Sequence, residues 1–373
     1  MEPLVRVQNL VQSGVSQVPR QYIQPLESRP NNHSHDQNNN HTPQSSNINI
    51  PLIDLSNPND TILLDSIRNA CREWGAFHVI NHGVPLKLLH DVRHVGRSFF
   101  EGCLLTDKLE YACDNASAAS EGYGSKLLVA NDDTVLDWRD YFDHHTLPLS
   151  RRNPSRWPSK LIPNYGKVLC DYSDEMKLLC EKLLGFISES LGLTSSYMKD
   201  AVGELYQNIT ISYYPPCPQP ELTLGLQPHS DFGALTLLIQ DDVEGLQVLK
   251  DGHWVTVQPL SEAIVVILSD QTQDSSAVLA LLGSFCCDAW EILTNGEYIS
   301  AIHRAITNAS RARLSVATFH DPAKTVKISP ASELVSKSSL LRYRQVVYGD
   351  YVSSWYTKGP EGKRNLDALL LDS

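Results

Sequence analysis

The chain has 373 residues, enough for one large domain or two smaller ones, and its 42% hydrophobic residues can form a sizeable core. The balance of 31 Lys and Arg against 43 Asp and Glu gives a net charge of -12, which disfavours nucleic-acid binding because phosphates require a basic surface. The N-terminus lacks the apolar core of a signal peptide, and no apolar run approaches the ~18 residues of a membrane span, so we expect a cytoplasmic protein with no membrane contact. The eight cysteines have no paired spacing, so we expect free thiols.

The N-terminal extension, residues 1–49, is predicted to contain a flexible linker. Residues 28–48 are rich in Asn, Ser, His and Pro and contain hardly any apolar side chain. Such a composition cannot bury enough surface to offset the entropy lost on ordering. His33, His35 and His41 can bind a stray metal ion, but a solvated linker is the favoured interpretation.

The next elements are a helix and a strand. Apolar residues recur at helical spacing over residues 63–74, which predicts an amphipathic helix that ends at Gly75. The segment AFHVI predicts a strand, and NHG predicts the turn after it. His78 and His82 lie in this unit without a carboxylate at ligand spacing, so we expect both to pack in the core or the turn.

The pattern changes from helices to strands near the middle of the chain. A long helix is predicted over about residues 167–191, with an apolar stripe that faces a sheet. From Gln207 onward, short apolar segments alternate with Pro, Gly and Asp turns, which is typical of a sandwich or barrel. The predicted strands are NITISYY, LTLLIQ, LQVL, HWVTV, AIVVIL and LSVATF.

Three residues in the strand-rich region form a candidate metal site: His229, Asp231 and His303. Residues i and i+2 of a strand point the same way, so the His-x-Asp pair can present both ligands together. Two imidazoles and one carboxylate form the facial triad typical of non-haem Fe(II) oxygenases. Taken alone, His-x-Asp is weak evidence, and His229 can equally be a polar turn residue.

A second pair strengthens the metal hypothesis. Arg313 and Ser315 begin ten residues after His303, beyond a turn at residues 308–310. A strand that runs out from His303 and back through this turn can bring the guanidinium and the hydroxyl near the metal. Arg binds carboxylates in a bidentate manner, so the pair suits the far carboxylate of a dicarboxylic co-substrate.

At these residues the sequence resembles the plant 2-oxoglutarate- and Fe(II)-dependent dioxygenases, the soluble family that includes flavonoid and hormone oxidases. The resemblance covers nearly the whole chain after residue 50. Its blocks are IPLIDL (50–55), EWGAFHVINHGV (73–84), EGYG (121–124), ISYYPPCPQPELTLGLQPHSD (211–231), GLQVLKDGHWVTVQP (245–259), ISAIHRAITN (299–308) and RLSVATF (313–319).

The resemblance implies an α+β fold, a double-stranded β-helix (jelly roll) with flanking N-terminal helices. It implies Fe(II) on His229, Asp231 and His303, 2-oxoglutarate on Arg313, Ser315 and Tyr214, O2 as oxidant and ascorbate as reductant. The expected parts are an extension (1–49), a mixed helical region (50–195), the jelly roll (196–325) and a C-terminal helical segment (326–373). The expected activity is hydroxylation, desaturation or demethylation of a small plant metabolite by a monomer.

The substrate is predicted only in outline. Tyr123, Phe232 and Phe319 are expected to form an aromatic pocket, and the resemblance places the neighbours of Trp138 near its mouth. A surface loop with ordinary packing is the alternative for the region around Tyr123 and Trp138. At three positions near the expected pocket an arginine could clamp an acid, but the chain has Thr210, Val352 and Tyr356. These residues favour a neutral aromatic or alicyclic substrate over a free hormone acid.

Two features depart from the family pattern. Ser212 replaces the Asn that many members carry before the paired tyrosines. In addition, 71 residues separate Asp231 from His303, more than is usual in the family, and residues 273–290 are predicted to be an insertion of eighteen residues. We expect this insertion to disturb the strand register that leads to His303.

Two other function classes stay open. A catalytically impaired ligand-binding or splice-variant form is motivated by the insertion. A non-redox hydrolase with Zn(II) can use the same three ligands, but Arg313 and Ser315 then have no assigned role.

Overall fold

The protein is described from a computed structural model that covers residues 6–30, 49–56, 61–113, 121–125, 135–231, 233–269, 289–338, 341, 343–350 and 352. Within those ranges, the α-helices are α1 (Val7–Gln12), α2 (Thr61–Glu73), α3 (Leu86–Arg97), α4 (Leu105–Leu109), α5 (Tyr165–Ser190), α6 (Tyr197–Val202), α7 (Ala289–Thr294) and α8 (Ser332–Ser338). None of these helices is long and apolar enough to cross a membrane. The predicted linker lies largely outside the described residues.

The strands form two large layers and one small pair. In chain order they are β1 (Leu52–Asp54), β2 (Ala76–Ile80), β3 (Gly122–Gly124), β4 (Asp140–Leu147), β5 (Tyr206–Tyr214), β6 (Leu226–His229), β7 (Leu235–Gln240), β8 (Leu246–Lys250), β9 (His253–Thr256), β10 (Ile264–Leu268), β11 (His303–Ala305), β12 (Arg313–Asp321), β13 (Lys327–Ile328) and β14 (Val346–Val347). Strands β1-β2-β10-β7-β12-β5-β4-β3 form an eight-stranded sheet, and β6-β11-β8-β9 form a four-stranded sheet. The two facing sheets with helices outside confirm the predicted jelly roll.

The two helices that the sequence pattern predicted in the N-terminal half are α2 and α5. Helix α2 buries Leu63, Ile67 and Cys71, three residues on one helical stripe, and the chain leaves it at Gly75 with a φ of 63°. Helix α5 buries a longer stripe and packs on β5, β7 and β12. The helical layer therefore covers one face of the eight-stranded sheet.

Alternation along the strands separates the two faces of this sheet. Leu314 and Val316 of β12 are fully buried in the cluster that the sheet shares with the helices. Ala317 instead packs against a second cluster that joins Leu238 of the eight-stranded sheet to Val248 of the four-stranded sheet. This second cluster is the inside of the jelly roll, and the odd-numbered residues of β12 face it.

The connection from His303 to Arg313 differs from the predicted hairpin. Strand β11 pairs with β6 and β8, whereas β12 pairs with β5 and β7. The turn between them is closed by Asn308, whose Oδ1 accepts from the backbone N–H groups of Ser310 and Arg311. The chain therefore crosses from one sheet to the other, which places the two motifs on opposite walls of the same interior.

The predicted insertion lies mostly outside the described residues, apart from the start of α7. Before it, β10 ends at Leu268, and after it, Ile292 and Leu293 of α7 are buried in the helical core. The pairing of β11 with β6 does shift register between His303 and Ala305, but the shift leaves the pairing of His303 itself in place. His303 pairs with His229 on one side and Val248 on the other, as the triad requires.

Candidate active site

Two adjacent strands of the four-stranded sheet bring the triad together. His229 ends β6, and His303, the first residue of β11, lies directly opposite it. Asp231 follows two residues after His229, and its Oδ1 lies 3.3 Å from His229 Nε2 and 3.5 Å from His303 Nε2. One potential ligand atom from each of the three side chains lies within 4.8 Å of the others, so this cluster can hold a metal ion.

Backbone carbonyls fix the orientation of both imidazoles. His229 Nδ1 lies 2.8 Å from the carbonyl oxygen of Gln227, and His303 Nδ1 lies 3.0 Å from that of Ala301. A carbonyl only accepts, so each Nδ1 carries the proton and each Nε2 offers a lone pair. Such a contact is the usual support of a metal-binding histidine.

The carboxylate of Asp231 also fits a cation. Its Oδ2 is buried without a hydrogen-bond partner among the described residues, and the side chain is 4% exposed. Burial raises the pKa of Asp231, but His303 and His229 lower it by more when their rings are protonated, so its pKa before a metal binds lies below the ordinary value. A buried anion beside two imidazole lone pairs is a donor set suited to Fe(II).

Arg313 lies across the interior from the triad and has spare hydrogen-bonding capacity. Its Nη2 donates to Gln240 Oε1 at 2.8 Å, and its guanidinium stacks 5.0 Å from the ring centre of Tyr214. Its Nε and Nη1 are buried, and no described residue accepts from them. Unpaired N–H groups on a buried cation can receive an incoming carboxylate.

Tyr214 and Ser315 lie beside this guanidinium. Tyr214 pairs with Arg313 across β5 and β12, and Ser315 is the next residue of β12 on the same face. Burial raises the pKa of Tyr214, but Arg139 and Arg313, and then the Ser315 and Ser212 hydroxyls, lower it by more, so the net shift is downward. The phenol therefore lies in a positive environment with hydroxyl partners.

Two glycines leave the room that this pocket needs. A Cβ on Gly245 would lie 2.6 Å from Arg313 Cδ and 2.8 Å from its Nε. A Cβ on Gly225 would lie 2.6 Å from Tyr214 Cδ1. A residue larger than glycine at either position would therefore collide with Arg313 or Tyr214.

The other end of the interior carries acids. Asp143 of β4 and Asp321 of β12 alternate with residues that face the helices, so both turn inward. Asp143 accepts from the Thr210 hydroxyl at 2.7 Å, and Asp321 Oδ1 is buried without a hydrogen-bond partner among the described residues. Burial raises the pKa of Asp143 to about 6 and that of Asp321 to about 7.

Of the predicted substrate residues that the structure describes, Tyr123 and Phe319, Phe319 is the one on the inner face. It belongs to the odd-numbered set of β12 and is half-buried. Tyr123 lies opposite Phe142 and is fully buried among Phe99 and Phe100 in the helical core, so it does not reach the triad. Phe232 lies outside the described residues.

Three further residues singled out for the substrate region stand as follows. Trp138 is fully buried against Tyr22, with ring centres 5.1 Å apart, and it anchors the N-terminal segment. Val352 packs against the helical core. Tyr356 lies outside the described residues.

Sequence reasoning missed Gln240, Asp143 and Asp321, and it placed Arg139 only as a neighbour of Trp138 near the mouth of the pocket. Gln240 holds the Arg313 side chain. Asp143 faces the interior from β4, Arg139 from the position directly before β4, and Asp321 from the end of β12. The sequence of β4, DYFDHHTL, does not alternate between apolar and polar residues, so it gives no signal for its inner face. Only the register of β4 on β5 decides which set faces inward.

Comparison with known proteins agrees with this geometry. The family model for the 2OG-Fe(II) oxygenase superfamily matches residues 206–322. The model described as non-haem dioxygenase in morphine synthesis, N-terminal, matches residues 50–160.

Relatives match over most of the chain. Jasmonate-induced oxygenase 4 of Arabidopsis thaliana is 39% identical over 378 residues, covering 99% of this chain and 98% of that protein. Flavanone 3-dioxygenase 2 of Oryza sativa subsp. japonica is 37% identical over 324 residues, covering 85% of each. A crystal structure of JOX2 in complex with 2OG, Fe and JA superposes with a TM-score of 0.82 at 35% identity, covering 100% of this chain and 99% of that one.

Proposed function

The chain belongs to the 2OG-Fe(II) oxygenase superfamily, and on that premise we propose that it oxidises a neutral, hydroxylated aromatic or alicyclic plant metabolite. His229, Asp231 and His303 would hold Fe(II), and Arg313, Ser315 and Tyr214 would bind 2-oxoglutarate. The observation that carries the proposal is the pairing of a metal-binding cluster with a buried guanidinium whose Nε and Nη1 have no partner among the described residues.

Each group of residues has a definite task. When bound, Fe(II) and 2-oxoglutarate supply oxidising power from O2, with release of succinate and CO2. The carbonyls of Gln227 and Ala301 keep the imidazoles oriented before any ligand arrives, which reduces the cost of assembling the site. Gln240 holds Arg313 in place, so its remaining N–H groups stay aimed at the distal carboxylate.

The substrate class follows from charge at the other end of the interior. Asp143 and Asp321 would repel a carboxylate, and Thr210 offers only a hydroxyl. A substrate with hydroxyl donors can instead hydrogen-bond to these acids. For this reason we propose a different substrate class for this chain than the JA found in the JOX2 crystal structure.

The test is succinate release from 2-oxoglutarate under air, with and without a candidate substrate. A hydroxylated flavanone and an alicyclic alcohol represent the neutral class, and jasmonic acid represents the acids. We expect succinate formation to be stimulated by a neutral compound and not by jasmonic acid. Stimulation by jasmonic acid alone would overturn the substrate class, and absence of succinate under every condition would overturn the activity.

A further inference from the structure

Arg139 is a buried cation beside the co-substrate pocket that the proposed function leaves unused. It is 4% exposed and comes directly before Asp140, which pairs with Tyr213. Arg139 is therefore next to Tyr214 on one side of β5, while Arg313 pairs with Tyr214 on the other. The two arginines flank one phenol on the inner face of the sheet.

The contacts of Arg139 leave its charge incompletely compensated. Its Nη1 donates to Ser212 Oγ at the long distance of 3.3 Å. The nearest carboxylate, that of Asp137, lies 3.8 Å from Nε, beyond hydrogen-bond distance. Asp137 Oδ1 already accepts from the backbone N–H of Gln227 at 3.1 Å. A buried guanidinium with such contacts gains from a further anion.

Arg304, another buried arginine, is satisfied by packing and a short hydrogen bond. Arg304 lies 4.1 Å over the ring of Trp254 and donates to Gln247 Oε1 at 2.8 Å. Arg139 has only a more distant ring, that of Tyr141 at 5.6 Å. Packing alone therefore explains Arg304 better than it explains Arg139.

We propose that Arg139 is a second cationic residue of the 2-oxoglutarate pocket, and that it and Arg313 bind the distal carboxylate from the two sides of Tyr214. This rests on the proposed function of Arg313, Ser315 and Tyr214. Two guanidiniums can hold a fully buried carboxylate that one alone neutralises only in part.

Ser212 fits the same proposal. It is the residue that departs from the family pattern, and its hydroxyl is the group that Arg139 contacts. A serine is shorter than the asparagine found in many members, so it leaves room for the guanidinium to reach the pocket. Arg139 and Ser212 therefore act as a pair.

The test is calorimetric titration of the Mn(II)-loaded protein with 2-oxoglutarate and, separately, with oxalate. Oxalate can chelate the metal but has no distal carboxylate, so it reports on the metal centre alone. In Arg139→Gln we expect the Kd for 2-oxoglutarate to rise by about tenfold, as for loss of a charged hydrogen bond, with little change for oxalate. Arg139→Lys retains a charge without the fork and is expected to give a smaller rise.

Arg6→Gln is the matched control, because Arg6 is a buried guanidinium 4.7 Å from the ring of Tyr123 in a different cluster. It is expected to leave both Kd values unchanged. An unchanged Kd for 2-oxoglutarate in Arg139→Gln, or an equal rise for oxalate, would overturn the proposal. If Arg139→Gln does not fold, the same comparison in Arg139→Lys decides. Failure of the wild-type protein to bind 2-oxoglutarate would instead contradict the proposed function.

Discussion

His229 and His303 each turn Nδ1 to a backbone carbonyl and Nε2 toward the Asp231 carboxylate, and one oxygen of Asp231 has no partner among the described residues. The spacing of His, Asp and the distant His was enough to predict this cluster. The orientation of each ring was not predictable, because it depends on carbonyls that only the folded backbone positions. The same limit applies to Gln240, whose contact with Arg313 crosses from β7 to β12.

Removal of one ligand should abolish metal binding. In Asp231→Ala or His303→Ala, two remaining ligands cannot maintain the facial geometry, so we expect loss of stoichiometric Fe(II) or Mn(II) binding and of succinate formation. Metal content after anaerobic loading checks this. Asp242→Ala is the control, since Asp242 is an exposed acid paired with Arg311 and should leave metal content unchanged. Normal metal content in either ligand variant would refute the triad.

Asp143 should reduce the stability of the folded chain at neutral pH. Burial raises its folded pKa from the ordinary 3.8 to about 6, so the folded state binds more protons between these values, and stability falls as pH rises through that window. Asp143→Asn should therefore be more stable than the wild type at pH 8 by about 1–2 kcal/mol, with the difference disappearing near pH 4. Denaturant titrations at the two pH values check this. Equal stability at pH 8 would contradict the buried charge.

At the level of elements, the register between β4, β5 and β12 decides which residues line the interior. Strands β5 and β12 were predicted from short apolar segments and turns, whereas β4 was not. Their faces were not predicted, because alternation leaves two choices until the pairing is known. Tyr123 illustrates this: it was expected in the pocket, but its pairing with Phe142 turns it to the helical side.

The loop before β8 should control co-substrate affinity through Gly245. A methyl group there meets Arg313 Cδ at 2.6 Å, so the guanidinium must shift. In Gly245→Ala we expect the KM for 2-oxoglutarate to rise by about tenfold or more, because small displacements of a positioned group are costly. Gly102→Ala is the control, since no heavy atom lies within 4 Å of its added Cβ. An unchanged KM in Gly245→Ala, with metal binding intact, would remove Arg313 from the pocket.

The extra segment between β10 and α7 should be dispensable for the metal centre. His303 pairs directly with His229, so removal of residues 273–288 should change metal affinity by no more than about twofold, since the length of a connection affects its closure entropy only slowly. Metal titration of the shortened and full-length chains checks this. A tenfold gain on shortening would mean that the segment impairs the site after all.

On the scale of the whole molecule, two sheets hold the two halves of the candidate site on opposite walls, with the proposed metal ligands on one and the proposed carboxylate-binding residues on the other. The jelly roll and the family could be predicted because the motifs occur in a fixed order along the chain. Arg139 could not be assigned, because its role depends on the pairing of β4 with β5 and not on its place in the sequence.

Anaerobic titration of the Fe(II)-loaded protein with 2-oxoglutarate tests the central claim most directly. If His229, Asp231 and His303 hold iron while Arg313 receives the distal carboxylate, a weak visible charge-transfer band should appear and saturate at one equivalent of 2-oxoglutarate per chain. The same titration with Asp231→Ala should give no band. Absence of the band in the wild-type protein with stoichiometric iron would contradict the assignment of this chain as a 2-oxoglutarate-dependent oxygenase.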